Sequence, residues 1–256
     1  MQSIEIPVEA QGWGMPTAEY KAETRWQWLN VGAGVVFLLA GLAAMLAGPV
    51  AAWSEDEAGM LVFSCCGLIA AALGAWTIYS FFRDRGWRVI IFPQGLVQVR
   101  TGKTTRIPWD DVTHFWYAVT RTYRNGRHIA TTYNFTLQGK EGQKLSFGNG
   151  LAGVEGLGNT IRDETTQRMY PKYAAAYDAG ETIPFGTISI SKQGISNGKE
   201  TIAWDQVKGI NLDRGVINIQ KEGKWFNWKS ATVGGTPNVF VFLALVDQIA
   251  GLNKKK

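Results

Sequence analysis

Asp110 and Asp111 stand side by side after a tryptophan in the stretch RIPWDDV, residues 106–112. A carboxylate beside another has its pKa raised, and general acid–base catalysis uses raised values. His114 follows shortly after and adds a group that titrates near neutrality. As chemistry, Asp110, Asp111 and His114 would make an acid–base site.

The same signature returns later, as TIAWDQV at 201–207. Trp109-Asp110 matches Trp204-Asp205 and Val112 matches Val207, while Gln206 replaces the second Asp. Gln94-Gly95-Leu96 precedes the first copy and Gln193-Gly194-Ile195 the second. FTLQGKEGQKLSF (135–147) parallels INIQKEGKWFNW (217–228). Self-similarity in fixed order marks a duplicated structural unit. A Trp-Asp pair kept in both copies therefore reads as architecture. The Trp anchors a strand in the core, and the Asp accepts backbone N–H bonds at a turn.

Other sources of chemistry are sparse. His128 is the second histidine, and neither histidine has metal-ligand spacing. Cys65 and Cys66 are adjacent, which strains a mutual disulfide, and read as small apolar packers. GNGLAGVEGLG (148–158) lacks the Lys-Ser/Thr of a phosphate loop and reads as a flexible strand-to-helix connection. No catalytic residue is assigned, and no cofactor or metal is expected.

The binding candidate is the hairpin TRTYRNGRH, 120–128. Asn125-Gly126 is a favoured type I′ turn. Arg121, Arg124 and Arg127 gather around it with Tyr123, suited to lipid headgroups or other phosphate-bearing partners. Arg100, Lys103 and Arg106 form a second basic cluster, and Lys254–Lys256 a basic tail.

These residues belong to a chain of two characters. LNVGAGVVFLLAGLAAMLAGPV (29–50) and MLVFSCCGLIAAALGAWTIYSFF (60–82) carry no charge over 22 and 23 residues. About 20 apolar residues cross a bilayer core. The link AAWSEDEAG is acidic, whereas Lys21, Arg25, Arg83, Arg85 and Arg88 flank the outer ends. The positive-inside rule places both termini in the cytoplasm, with Trp26, Trp28, Trp53, Trp76 and Trp87 at the interfaces. Ala40, Ala44 and Gly48, and Gly67, Ala71 and Ala75, recur every four residues, as close helix packing requires. No Asp, Glu, Lys, Arg or His lies within either span, so a transport or proton-relay role has no support there. The chain carries +5 overall, and residues 1–82 hold two basic against seven acidic residues, so the remainder carries +10. That favours anionic partners. Nucleic acid is not expected, because the aromatics do not interleave with the basic residues as a stacking platform.

The soluble part divides into two β-rich units, 87–180 and 184–253, after an N-terminal segment 1–28 and the hairpin 29–82. A helix closes each unit, from about 154 to 177 in the first, with Pro171 breaking or restarting it. The second helix spans 236–252, with Thr236 as N-cap and Pro237 as first helical residue. About six or seven antiparallel strands closed by a helix describe a pleckstrin-homology-like unit.

Gly14, Pro16 and Tyr20, then FPQGLV and IPWDDV, then FGTISISKQGI, IAWDQV, KWFNW and TPNVFVFLALV, carry a resemblance. The chain resembles a family of uncharacterised bacterial membrane proteins, with two spans followed by tandem pleckstrin-homology-like units. The resemblance implies an α+β, membrane-anchored fold and carries over no functional residue.

The expectation is a non-enzymatic scaffold or binding protein of the inner membrane, multi-pass, with both termini cytoplasmic. Its partner is a protein or anionic lipid, met through Arg121, Tyr123, Arg124 and Arg127. One alternative is an enzyme using Asp110, Asp111 and His114. Another is a structural subunit that forms a homo-oligomer through its spans.

Overall fold

The computed structural model describes residues 7, 12–23, 27–51 and 57–251. Trp26, Trp53, most of the acidic link and the lysine tail lie outside them. The fold is α+β, and the described residues form four antiparallel sheets and four α-helices.

Helices α1 (Gln27–Ala51) and α2 (Glu57–Asp84) contain the two apolar runs. Both are long and apolar enough to cross a membrane. They pack on each other through glycine. A Cβ on Gly41 would lie 2.5 Å from Gly67 O, and one on Gly74 would lie 2.5 Å from Gly34 O. The contact rows are therefore Gly34 and Gly41 against Gly67, Ala71 and Gly74. Of the expected four-residue stripes, Gly67 and Ala71 are in the contact, while Ala40 and Ala75 are exposed. A four-residue step drifts about 40° around a helix and a seven-residue step about 20°, so only the seven-residue row keeps facing its partner. Cys65 and Cys66 are exposed on the outer surface rather than packed inside. Thr77 and Ser80 donate to Leu73 O and Trp76 O one turn back, which satisfies their hydroxyls within the helix.

The remaining elements repeat. Strands β1 (Ala18–Lys21), β2 (Arg88–Phe92), β3 (Gly95–Arg100) and β4 (Lys103–Pro108) form one sheet in that order. A 3-10 turn, Trp109–Asp111, leads into a second sheet of β5 (Val112–Arg124), β6 (Arg127–Gly139) and β7 (Lys144–Gly148). Helix α3 (Val154–Asp178) follows, and Pro171 lies inside it without ending it. The second unit has the same order. Strands β8 (Ile183–Phe185), β9 (Ile188–Ser191), β10 (Gly194–Ser196) and β11 (Thr201–Ile202) make one sheet. After the Trp204–Gln206 turn, β12 (Val207–Asp213), β13 (Val216–Lys221) and β14 (Asn227–Thr232) make the other, before α4 (Val239–Ala250).

Strand β1 changes the organisation read from sequence. It precedes α1, yet pairs along its length with β2, from Ala18↔Ile91 to Lys21↔Arg88. Residues 18–21 thus belong to the first unit rather than to a separate N-terminal segment. The helical hairpin is an insertion between β1 and β2, where the second unit has only Gly186-Thr187 between β8 and β9.

The two units share one core. Phe185 of the second unit packs edge-on to Phe242 at 5.2 Å and also meets Tyr173 of α3. Asn238 joins the units most directly. Its Oδ1 accepts from Phe115 N at 2.8 Å, and its Nδ2 donates to Thr113 O and Tyr173 Oη. Asn238, with φ 52°, is therefore the residue before α4. The cap expected at Thr236 moves two residues on, because Asn tolerates the left-handed region and its amide completes β5.

Candidate functional site

The WDDV question resolves in geometry. Trp109 is buried, and its Nε1 donates to Phe92 O at 3.1 Å. In the second copy, Trp204 Nε1 donates to Ser191 O at 2.9 Å. Phe92 and Ser191 both end the second strand of their unit, so each Trp fastens its 3-10 turn to the same strand end. The carboxylates part company. Asp110 is largely exposed and comes within 3.9 Å of Arg168 Nε on α3. Asp111 accepts from Lys140 Nζ at 2.6 Å, which raises the Lys140 pKa. The partner of Asp110 is thus a guanidinium, in place of the expected backbone N–H.

His114 takes a third direction. Its ring stacks on Trp116 at 5.4 Å, and its Nδ1 lies 3.1 Å from Thr113 Oγ1. Burial, and then the Lys144 charge, lower its pKa. The three groups of the acid–base alternative each engage a different neighbour. Among the described residues no three His, Cys, Asp or Glu side chains gather to hold a metal.

The basic hairpin is formed as the sequence implies. Asn125 (φ 50°) and Gly126 (φ 74°) make the turn between β5 and β6. Both strands run 13 residues, but β7 pairs only with Asn134–Gln138. The outer part is a free two-stranded ribbon, and residues 120–130 are all exposed. Arg121, Arg124 and Arg127 sit there with Tyr123, and no acidic residue occurs between Asp111 and Glu141. A bulge opposite Thr122 and Tyr123 turns out Ile129, which is exposed like Tyr123. His128 Nε2 lies 2.8 Å from Thr131 Oγ1 and braces the bulge.

Asn149 fixes the base of the ribbon. Its Oδ1 accepts from Tyr133 N at 2.7 Å, and its Nδ2 donates to Thr131 O at 2.8 Å. Tyr133 Oη donates to Glu155 at 2.8 Å. The next residues bind the strand that leads to α1. Glu23 N donates to Gly150 O, and Ala152 N donates to Lys21 O. The glycine-rich stretch is thus a tight junction rather than a flexible link. Gly158 lies against the Phe135 ring, which leaves no room for a Cβ. The ribbon consequently springs from the end of the molecule where α1 and α2 join the sheets. Arg124 and Arg127 lie four residues past Thr131, roughly 13 Å beyond the Asn149 clamp, whereas Arg121 pairs with Thr131 at the clamp itself.

The second basic cluster divides. Arg100, at the end of β3, donates to Asp84 Oδ1 at 2.8 Å and lies over the Trp87 ring at 4.3 Å. It serves as a joint between α2 and the sheet. Lys103 remains exposed beside it.

Three features escaped the sequence reading. Residues 18–21 alternate apolar and charged side chains over only four positions, too few to stand out, although the second unit's extra strand before KQGI was a clue that the first copy lacked one. Asn149 and Asn238 act through distant backbone groups. Trp225, read as part of a strand motif, is 99% exposed.

A family model matches residues 1–255. The chain belongs to that family, a family of unknown function (DUF6585). The match takes in the helical hairpin and both units together, in keeping with the hairpin being an insertion within the first. No curated protein matches the chain.

Proposed function

We propose that the chain is a membrane-tethered, non-enzymatic binding protein whose β5–β6 ribbon engages anionic headgroups of the bilayer that holds its helices. Each soluble unit is pleckstrin-homology-like, with four strands, then three, then a closing helix. The helices supply the tether. Val36, Phe37, Leu39, Leu68, Ile69 and Leu73 stay exposed on the paired helices, an apolar surface suited to lipid and not to water. The charge asymmetry favours the inner membrane of a bacterium, with the units and both termini cytoplasmic.

The observation that carries this reading is the shared origin of ribbon and helices, joined by Asn149 and the Lys21–Ala152 contacts. Each Arg near an anionic surface contributes about 1 kcal/mol. Three together are weak in solution, but tethering raises their effective concentration to the millimolar range. Tyr123 and Ile129 add apolar surface suited to the headgroup boundary.

The test uses the full chain with Cys65→Ser and Cys66→Ser, and an environment-sensitive nitrobenzoxadiazole dye on Thr122→Cys, in nanodiscs. Emission shifts to the blue in anionic compared with neutral lipid, and Arg121→Ala/Arg124→Ala/Arg127→Ala abolishes the shift. Equal emission in both lipids removes the headgroup reading and directs attention to a protein partner for the ribbon.

A further inference from the structure

Among the described residues, the most exposed large apolar side chain belongs to the second unit. Residues 222–226 connect β13 to β14, with Trp225 99% and Phe226 61% exposed. A Trp presented whole to solvent buries nothing for the fold.

The loop that carries it is braced. Lys224 N donates to Lys221 O, and Glu222 N donates to Gln206 O at 2.8 Å. Below it, Glu200 accepts from both Lys221 Nζ (2.9 Å) and Trp228 Nε1 (3.0 Å), which holds the 197–200 loop alongside. Asn197 Oδ1 in turn accepts from Lys199 N and Glu200 N. Lys224 Nζ lies 5.4 Å from the Phe226 ring centre. The backbone that carries the aromatic pair is thus braced, which lowers the cost of ordering the loop on binding.

Its location separates it from the helix junction. Helix α3 begins where Gly153 and Gly156 approach Tyr20, beside the entry to α1. By Arg168 it has reached Pro93 O, in the turn at the end of β2 far from α2. Its last turn carries Tyr177, which meets the Trp204 indole. The Trp204–Gln206 turn holds Glu222, so the loop lies about one α3 length, roughly 37 Å, from the helix junction.

The charges around the loop define what it fits. Lys199, Lys221, Lys224 and Lys229 lie on the loop, the strands that it joins and the neighbouring 197–200 loop, against Glu200 and Glu222, a surplus of two positive charges. Glu200 is already engaged by Lys221 and Trp228. We infer that the 222–226 loop is a docking knob for a water-soluble protein partner that offers an apolar pocket for Trp225 with a rim of carboxylates. Buried tryptophans dominate protein interfaces, and rim charges set partner choice and encounter rate. The chain would then join a membrane surface at one end to a protein at the other. The docking knob stands on its own geometry, whether or not the ribbon reads headgroups.

The test places the photo-crosslinker p-benzoylphenylalanine at Trp225 in the full chain in its own membrane, with Leu212, an exposed residue of β12, as comparator. The expected result is one protein adduct from position 225, absent from 212. That protein, purified, binds the full chain in neutral-lipid nanodiscs. Its affinity falls about 30-fold with Trp225→Ala and several-fold with Lys224→Glu/Lys229→Glu, and weakens with salt. Trp225 makes no packing contact to lose, so Trp225→Ala should melt as wild type does, which separates docking from folding. Adducts only with lipid, adducts only with a second copy, no adduct above that of 212, or affinity insensitive to both variants would each overturn the proposal.

Discussion

Arg100 Nη2 donates to Asp84 Oδ1 at 2.8 Å and so ties the last residue of α2 to the end of β3. Arg100 Nε reaches the same oxygen at 3.2 Å, and the guanidinium covers the Trp87 ring. The apolar hairpin is therefore fixed to the sheet at its exit and is not a loose leash. Arg100→Ala is expected to lower stability by about 1 kcal/mol, since both side chains are partly solvated. The segment between α2 and β2 should also be cut faster by protease. Arg100→Lys should recover little, because an ammonium reproduces neither the forked contact nor the stacking. Limited proteolysis in nanodiscs checks this, and an unchanged cleavage rate in Arg100→Ala would count against a fixed joint.

The two tryptophans should differ in cost. Trp109 is fully buried, and Trp109→Ala is expected to cost about 3–5 kcal/mol. Trp204 makes the matching bond but is half-exposed, so Trp204→Ala should cost less. Asp110→Asn, with an exposed carboxylate, should change stability by less than about 0.5 kcal/mol. Denaturant unfolding of the three variants orders them, and a large loss in Asp110→Asn would revive a special role for that carboxylate.

The insertion makes a prediction about truncation. Residues 12–22 joined to 87–251 through a Gly-Thr link, as the second unit joins β8 to β9, should give a folded body without the apolar helices. A fragment beginning at residue 87 lacks β1, so it leaves an edge of β2 unpaired and uncovers the core that Ala18 and Tyr20 help to seal. It should aggregate. Size-exclusion chromatography with circular dichroism distinguishes them, and a monodisperse 87–251 fragment would argue that β1 is dispensable.

His114 sets an acid sensitivity. Burial lowers its pKa in the folded state below the usual 6.5. The unfolded chain then binds the proton more tightly, so stability falls as pH drops below about 6.5 and is unaffected above it. His114→Asn should flatten this part of the profile. Melting temperatures between pH 5 and 8 give the comparison, and parallel profiles for wild type and variant would contradict it.

Much of this was legible in sequence because the signals were local. Two uncharged runs gave the helices, Asn125-Gly126 gave the ribbon turn, and the paired Trp-Asp motifs gave the duplication. What was hidden depended on distant partners. Strand β1 is four residues, AEYK, whose alternation of Ala and Tyr with Glu and Lys is too short to stand out, and its partner follows the whole hairpin. Asn238 replaced Thr236 as the residue before α4 because β5 needed its amide. The exposure of Trp225 was concealed by its strand-like neighbours, since aromatic content alone does not tell a core residue from a presented one.

The most direct test of the tethered arrangement is labelling of single cysteines with a membrane-impermeant maleimide in intact cells. The chain carries Cys65→Ser and Cys66→Ser, with either Ser54→Cys in the acidic link or Thr122→Cys in the ribbon. The account predicts that position 54 reacts in intact cells and position 122 only after the cells are opened. Reaction at 122 and protection at 54 in intact cells would contradict it.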